Sequence, residues 1–237
     1  MRIEPFGQSA VLISFEKEIN LNVHNQVLQL YNKCKSKDLY TFFIPAYNSL
    51  TLGIDLNKIS LSDAIQKTGQ FAEDEDISHP LTSFRRLTIP VCYENSFATD
   101  MQEIQNTTQM EVNEIIRIHS SQYYRVFMLG FVAGFAYMGK LSESLKVSRK
   151  SSPEKYVPAG AVGIAGLQTG IYPIDAPGGW QIIGSTPIKT FNPTEETPHL
   201  LSPGDEVSFR PISEDEFKLI EIKQETGIYE PEFKYDA

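Results

Sequence analysis

Three side chains in this sequence carry chemistry that a small-molecule site needs: His119, Arg149 and Gln168. An imidazole titrates near neutrality, so His119 is a candidate general acid or base. It also falls on the apolar face of a predicted helix, where a buried, hydrogen-bonded histidine is the alternative. The guanidinium of Arg149 can fork onto a carboxylate or phosphate; a solvated loop arginine is the other reading. The amide of Gln168, between Gly166 and Gly170, could orient a polar group of a ligand or a water, or it could cap a turn.

Around these residues glycine recurs every few positions. Pro158-Ala159-Gly160-Ala161-Val162-Gly163-Ile164-Ala165-Gly166 leads into Gln168-Thr169-Gly170-Ile171-Tyr172-Pro173. Pro177-Gly178-Gly179-Trp180 and Ile183-Gly184-Ser185-Thr186-Pro187 follow. Glycine lets backbone N–H groups approach an anion or a developing oxyanion closely. Gly160, Gly166, Gly178, Gly179 and Gly184, with the hydroxyls of Thr169 and Thr186, are therefore candidates for binding substrate or phosphate. Turns and strand crossings of a barrel compete with this reading, and spacing alone favours them. Trp180 reads as barrel filling, and Tyr137 and Tyr172 as aromatics whose polar tips could face a pocket. Cys92 lies in a predicted strand without an activating base and reads as packing. The sequence has no Walker-type phosphate loop, no Gly-x-Gly-x-x-Gly after a strand, no His-Glu-x-x-His and no nucleophile elbow. The four histidines are scattered, and no metal site is assigned.

The elements that must position these residues divide the chain in two. Residues 1–85 read as a small α+β unit. Val11 to Phe15 is a strand. Asn20 caps a helix with Val23, Val27, Leu30, Tyr31 and Cys34 on one face. Tyr40 to Ile44 and Ser49 to Ile54 are strands joined through Pro45-Ala46-Tyr47-Asn48, and a second helix from Ser62 carries Ala64, Ile65 and Phe71. That order suggests a ferredoxin-like half-domain. The charged run Ala72-Glu73-Asp74-Glu75-Asp76, ending near Pro80, reads as a linker. Residues 86–237 then open with a strand, Leu87 to Tyr93, and two short helices at about 100–121. Short strands follow at Val162–Ala165, Ile171–Tyr172, Trp180–Ile183 and Glu206–Phe209, the punctuation of a barrel. Phe217 to Ile222 is a last predicted strand, and the acidic tail after residue 226 is expected to be mobile.

Composition narrows the function classes. A formal charge of −9 over 237 residues argues against a general binder of nucleic acid or anionic membrane. It leaves room for a local basic pocket near Arg149 and Lys150. The most apolar run, Phe127 to Phe135, is far shorter than a membrane span, and Met1-Arg2-Ile3-Glu4-Pro5 shows no secretory pattern. Two cysteines supply no disulfide framework, and a cytoplasmic location is expected.

The stretch from Tyr124 to Asn192 resembles the family that includes allophanate hydrolase subunit 1, KipI and the B-type subunit of 5-oxoprolinase. The motifs that carry the resemblance are Val126-Phe127-Met128-Leu129-Gly130-Phe131, Gly134-Phe135-Ala136-Tyr137, Val157-Pro158-Ala159-Gly160 and Gly166-Leu167-Gln168-Thr169-Gly170-Ile171-Tyr172-Pro173. Pro177-Gly178-Gly179-Trp180, Ile183-Gly184, Ile89-Pro90-Val91-Cys92-Tyr93, His119-Ser120, Pro45-Ala46-Tyr47 and Pro203-Gly204-Asp205-Glu206-Val207 extend it nearly end to end. Glu154 and Ser185 stand where the family usually has arginine, and Ala161 where it usually has serine. The resemblance implies an α+β class chain, a ferredoxin-like N-terminal domain followed by a cyclophilin-like β-barrel. It implies a partner of related fold (a subunit 2 or KipA-like protein), a third hydrolytic subunit, and ATP-dependent opening of 5-oxoproline to glutamate. ATP, with Mg, would be bound by the complex, and this chain lacks the biotin-bearing lysine motif. Two other activities are implied by relatives: inhibition of a sensor histidine kinase, and carboxyltransferase chemistry on urea-derived substrates.

Overall fold

The structure is a computed structural model that describes residues 1–17, 20–73, 84–229, 231 and 233–235. The chain falls into two compact units, residues 1–83 and 84–237. Of the predicted linker, Ala72 and Glu73 end a helix, while residues 74–83 lie outside the described residues.

The first unit packs two helices on one face of an antiparallel sheet. Strands β1 (Arg2–Pro5), β2 (Ala10–Ser14), β3 (Tyr40–Pro45) and β4 (Ser49–Ile54) lie in the order β1-β2-β4-β3. Helix α1 (Leu21–Lys35) starts where Asn20 accepts a hydrogen bond from the Val23 N–H at 2.8 Å. It buries Val27, Leu30 and Cys34 against Val11, Ile13, Leu50 and Leu52. Helix α2 (Leu61–Glu73) is opened by Ser60, whose hydroxyl accepts from the Asp63 N–H at 3.2 Å. The strand order is ferredoxin-like with one change. The edge strand beside β2, which a ferredoxin-like chain supplies last, comes here from the N-terminus. The predicted pattern misses β1 because two of its four residues are charged and it is too short to show alternation.

The second unit is a closed barrel of seven strands. They are β5 (Arg85–Cys92), β6 (Tyr124–Leu129), β7 (Ala136–Gly139), β9 (Ala161–Ala165), β10 (Gln168–Ile171), β12 (Gln181–Ser185) and β13 (Glu206–Ile212). Their order is β12-β9-β10-β7-β6-β13-β5, and the pairing of Ser185 with Cys92 returns β12 to β5. Only β5 and β13 run parallel. Closure needs a close approach: a Cβ on Gly184 would stand 2.7 Å from the Cys92 carbonyl oxygen. A separate ribbon pairs β8 (Glu154–Val157) with β11 (Ala176–Gly178). Helices α3 (Met101–Thr108) and α4 (Val112–Ser120) bury Ile104 and Ile115 in the barrel core. The fold class is the expected one, a ferredoxin-like α+β unit and a cyclophilin-like β-barrel.

Two expectations for the C-terminal segment are corrected. Phe217 to Ile222 is no strand; it belongs to helix α5 (Glu214–Glu225). Ser213 caps this helix by accepting from the Glu216 N–H, and Lys218 pairs with Glu214 one turn earlier, so local capping outweighs the short run of branched residues. Beyond it, Phe233–Tyr235 form strand β14 on the edge of β5 rather than a loose tail. The Arg85 guanidinium lies 4.7 Å from the centre of the Phe233 ring.

Candidate functional site

Outside the barrel interior, the loop after β6, the segment 146–153 and the ribbon enclose a cleft of about 370 Å³. Phe135, Tyr137, Tyr172 and Trp180 form its walls, with Phe131 at the rim. Phe135 and Trp180 meet edge to face at 5.3 Å and 86°, and Phe135 and Tyr172 at 5.1 Å and 82°. These perpendicular contacts are the favoured geometry for ring quadrupoles and make a stiff box. Trp180 and Tyr172 are buried with Val157, Ala161 and Ala176 in a small core under the cleft. Gly178 fits beneath Tyr172, because a Cβ there would run into the phenol oxygen. Phe131 is 58 % exposed and sits at φ 66°, a left-handed backbone that a bulky residue rarely adopts.

The cations of the cleft differ. The Arg149 guanidinium lies 5.9 Å from the centre of the Trp180 ring, exposed, and no carboxylate among the described residues pairs with it. Lys150 is spent: its ammonium lies 2.8 Å from Asp100 and 3.2 Å from Glu154. Its backbone N–H donates to the Gly179 carbonyl at 2.8 Å. Asp100 in turn accepts from the Ile182 N–H at 2.7 Å and donates its own N–H to the Ile182 carbonyl at 3.0 Å. The segment bearing Arg149 is thus tied to α3 and β12 through its neighbour. The local basic pocket expected from Arg149 and Lys150 reduces to one available guanidinium.

Lys150 also lines a second hollow of about 460 Å³, with Asp100, Glu154, Tyr156, Ala161 and Ser185. Glu154, Ala161 and Ser185, three of the departures from the family pattern, therefore line one hollow.

The predicted site residues do not converge. Arg149, Gly178 and Gly179 meet at the aromatic cleft. His119 and Thr169 lie inside the barrel, both fully buried. The His119 ring stacks on Phe209 at 4.5 Å; its Nδ1 is 2.7 Å from the Tyr93 hydroxyl and its Nε2 2.9 Å from Thr169 Oγ1. Thr169 gives its single proton to the Gly163 carbonyl at 3.2 Å. Nε2 must then donate to Thr169, and Nδ1 accepts from Tyr93. Burial drives the imidazole down to about 3 and the Tyr93 phenol well above its usual range. A neutral, sealed ring with both nitrogens occupied has no proton to exchange near neutrality. The general acid–base reading of His119 gives way to its alternative, a core histidine.

The remaining glycines have their N–H groups in use or face other strands. Gly160 donates to the Tyr172 carbonyl at 2.7 Å and accepts from the Thr186 N–H at 2.9 Å, and Gly166 donates to Val147 at 2.7 Å. The Thr186 hydroxyl accepts from the Ile188 N–H at 3.2 Å in a buried turn. Gln168 pairs across β10 with Gly139 and Ala165 and lines neither hollow. Gly160, Gly166, Gly184 and Thr186 thus take the turn and crossing reading rather than forming a phosphate cradle. Asp100 carries no signal of its role in the sequence beyond its place at the start of a predicted helix. Burial raises the Cys92 thiol, in keeping with packing. Among the described residues no group of three or more His, Cys, Asp or Glu could hold a metal ion, and no helix is long and apolar enough to cross a membrane.

The family described as the carboxyltransferase domain, subdomains C and D, matches residues 1–201. The chain belongs to this family. Within it, the chain is 39% identical over 232 residues to the B-type 5-oxoprolinase subunit of Bacillus subtilis (strain 168), covering 91% of this chain and 95% of that protein. It is 36% identical over 209 residues to the B-type 5-oxoprolinase subunit of Escherichia coli O157:H7, covering 88% and 94%. The Kluyveromyces lactis urea carboxylase structure superposes with a TM-score of 0.78 at 19% identity, over 98% of this chain and 24% of that one. That last likeness is one of fold. Both units of this carboxyltransferase-domain protein are thus shared with its relatives, and the aromatic cleft lies within the matched segment.

Proposed function

We propose that this chain is the B-type subunit of an ATP-dependent 5-oxoprolinase, inactive alone. The observation that carries the reading is similarity over nearly the full length of two proteins bearing that name. The partners are a subunit 2 or KipA-like protein of related fold and a third, hydrolytic subunit. ATP, with Mg, binds to the complex. In the reaction the lactam oxygen takes the γ-phosphoryl group and ADP leaves. Water then adds to the activated carbon, the ring C–N bond opens, and phosphate departs to leave glutamate. The cleft of Arg149, Tyr137, Tyr172 and Trp180 is where this chain meets the small substrate, while His119, Thr169 and Gln168 support it through the barrel.

The test is release of ADP and glutamate from 5-oxoproline and ATP by the three chains purified together. Turnover that disappears when this chain is omitted is the expected result. Undiminished turnover without it would sink the reading.

A further inference from the structure

The charges around the aromatic cleft limit what it can hold. Arg149 contributes one positive charge with no carboxylate partner among the described residues. Lys150 contributes none in excess, because Asp100 at 2.8 Å and Glu154 at 3.2 Å outnumber it. A polyphosphate entering here would meet one guanidinium and, behind Lys150, two carboxylates. Pro153 and Pro177 in its lining have no N–H to offer, the Lys150 N–H is already donated to Gly179, and Gly160 and Gly166 lie outside the cleft with theirs donated too. One guanidinium does match one carboxylate, with two parallel donors for two oxygens. Behind it the lining is mainly aromatic: Phe135, Tyr137, Tyr172 and Trp180, with Pro153, Pro177, Gly178 and Gly179. Such walls favour a flat, uncharged body.

We propose that this cleft is the recognition site for a small planar or cyclic monocarboxylate, its carboxylate on Arg149 and its ring against Trp180 and Tyr137, and that it excludes the nucleotide. This rests on the functional reading above and deepens it: the lactam acid is recognised on this chain at this cleft, and the ATP phosphates are held outside it. Asp100 is a positioning residue, acting on Arg149 through Lys150 and the 146–153 segment.

Trp180 is the single tryptophan of the chain, so its emission reports the cleft without turnover. The full chain is titrated with 5-oxoproline, with 2-pyrrolidinone (the same lactam without the carboxylate) and with inorganic tripolyphosphate. Saturable change with 5-oxoproline is expected, about 10-fold weaker with 2-pyrrolidinone, and none with tripolyphosphate, as befits one charge-assisted contact. Arg149→Gln is expected to weaken 5-oxoproline about 10-fold and leave 2-pyrrolidinone unchanged. In the complex the same variant raises KM for 5-oxoproline and not for ATP, and Asp100→Asn raises it by a smaller factor with kcat retained. Equal binding of the two lactams, competition by tripolyphosphate, an Arg149→Gln effect on ATP, or no response of Trp180 to 5-oxoproline would each overturn the proposal. A complex with no oxoprolinase turnover would count against the functional reading alone, because the titration is independent of it.

Discussion

Two polar clusters of the barrel unit invite the same expectation and behave oppositely. Around His119, Tyr93 and Thr169 every ring nitrogen and hydroxyl has a partner, and the ring is sealed between Phe209 and Tyr124. Around Arg149, the aromatic walls are as well packed, yet the charged group stands at the mouth without a counter-ion among the described residues. The first cluster holds strands together; the second is open to a ligand. Residue type distinguishes neither. What separates them is whether the polar atoms are already satisfied, because a bonded and desolvated group offers a ligand nothing it has not already spent.

The widest gap should appear when each cluster is truncated. His119→Ala removes a buried ring, strands the Tyr93 hydroxyl and leaves Thr169 only its bond to Gly163, and should cost about 3–5 kcal/mol of stability, read as a lower urea midpoint. A change under about 1 kcal/mol would mean the hub is not structural.

Next in size is Gly178→Ala. Its methyl group would press on the Tyr172 phenol. A loss of about 1–3 kcal/mol and an altered Trp180 emission are expected, since the cleft cannot expand freely. An unchanged spectrum would show the aromatic box to be less rigid than its edge-to-face contacts suggest.

The pH response separates the clusters further. The His119 imidazole is held at about 3 in the folded chain, below the ~6.5 of a free histidine. Between those values the unfolded chain binds the extra proton. Stability from this group is therefore complete above about pH 6.5 and falls as pH drops, by at most about 1.4 kcal/mol per unit. Urea midpoints measured between about pH 7 and about pH 5 should show this slope, and His119→Gln should flatten it.

The smallest effect belongs to Arg149→Gln, which should move stability by less than about 0.5 kcal/mol, because the guanidinium is exposed and only skirts the Trp180 ring at 5.9 Å. A large loss there would move Arg149 from the ligand's side of the comparison to the scaffold's.

Much of the scaffold is legible in the sequence. The Asn20 cap, the apolar stripe of α1, and strands β4, β5, β9 and β13 follow from periodicity and capping, because those signals are local. Helix α5 is an exception, as β1 is: Ser213 and Glu216 spell a capping box, but the branched run that follows imitates a strand. Of the site, Arg149, Gly178 and Gly179 are picked out by residue type and spacing and do meet at the cleft, while His119, Thr169, Gly160, Gly184 and Thr186 are picked out on the same grounds and do not.

The sequence by itself determined the fold class, the family, and the set of side chains able to do chemistry, since these depend on local pattern and on long motifs. Only the tertiary structure decided which of them face a ligand. The charge of Lys150 is paired by Asp100, 50 positions away, and the ring of His119 is bonded to Thr169, also 50 positions away. Partner choice and desolvation arise between residues distant in the chain, so no window of sequence contains them.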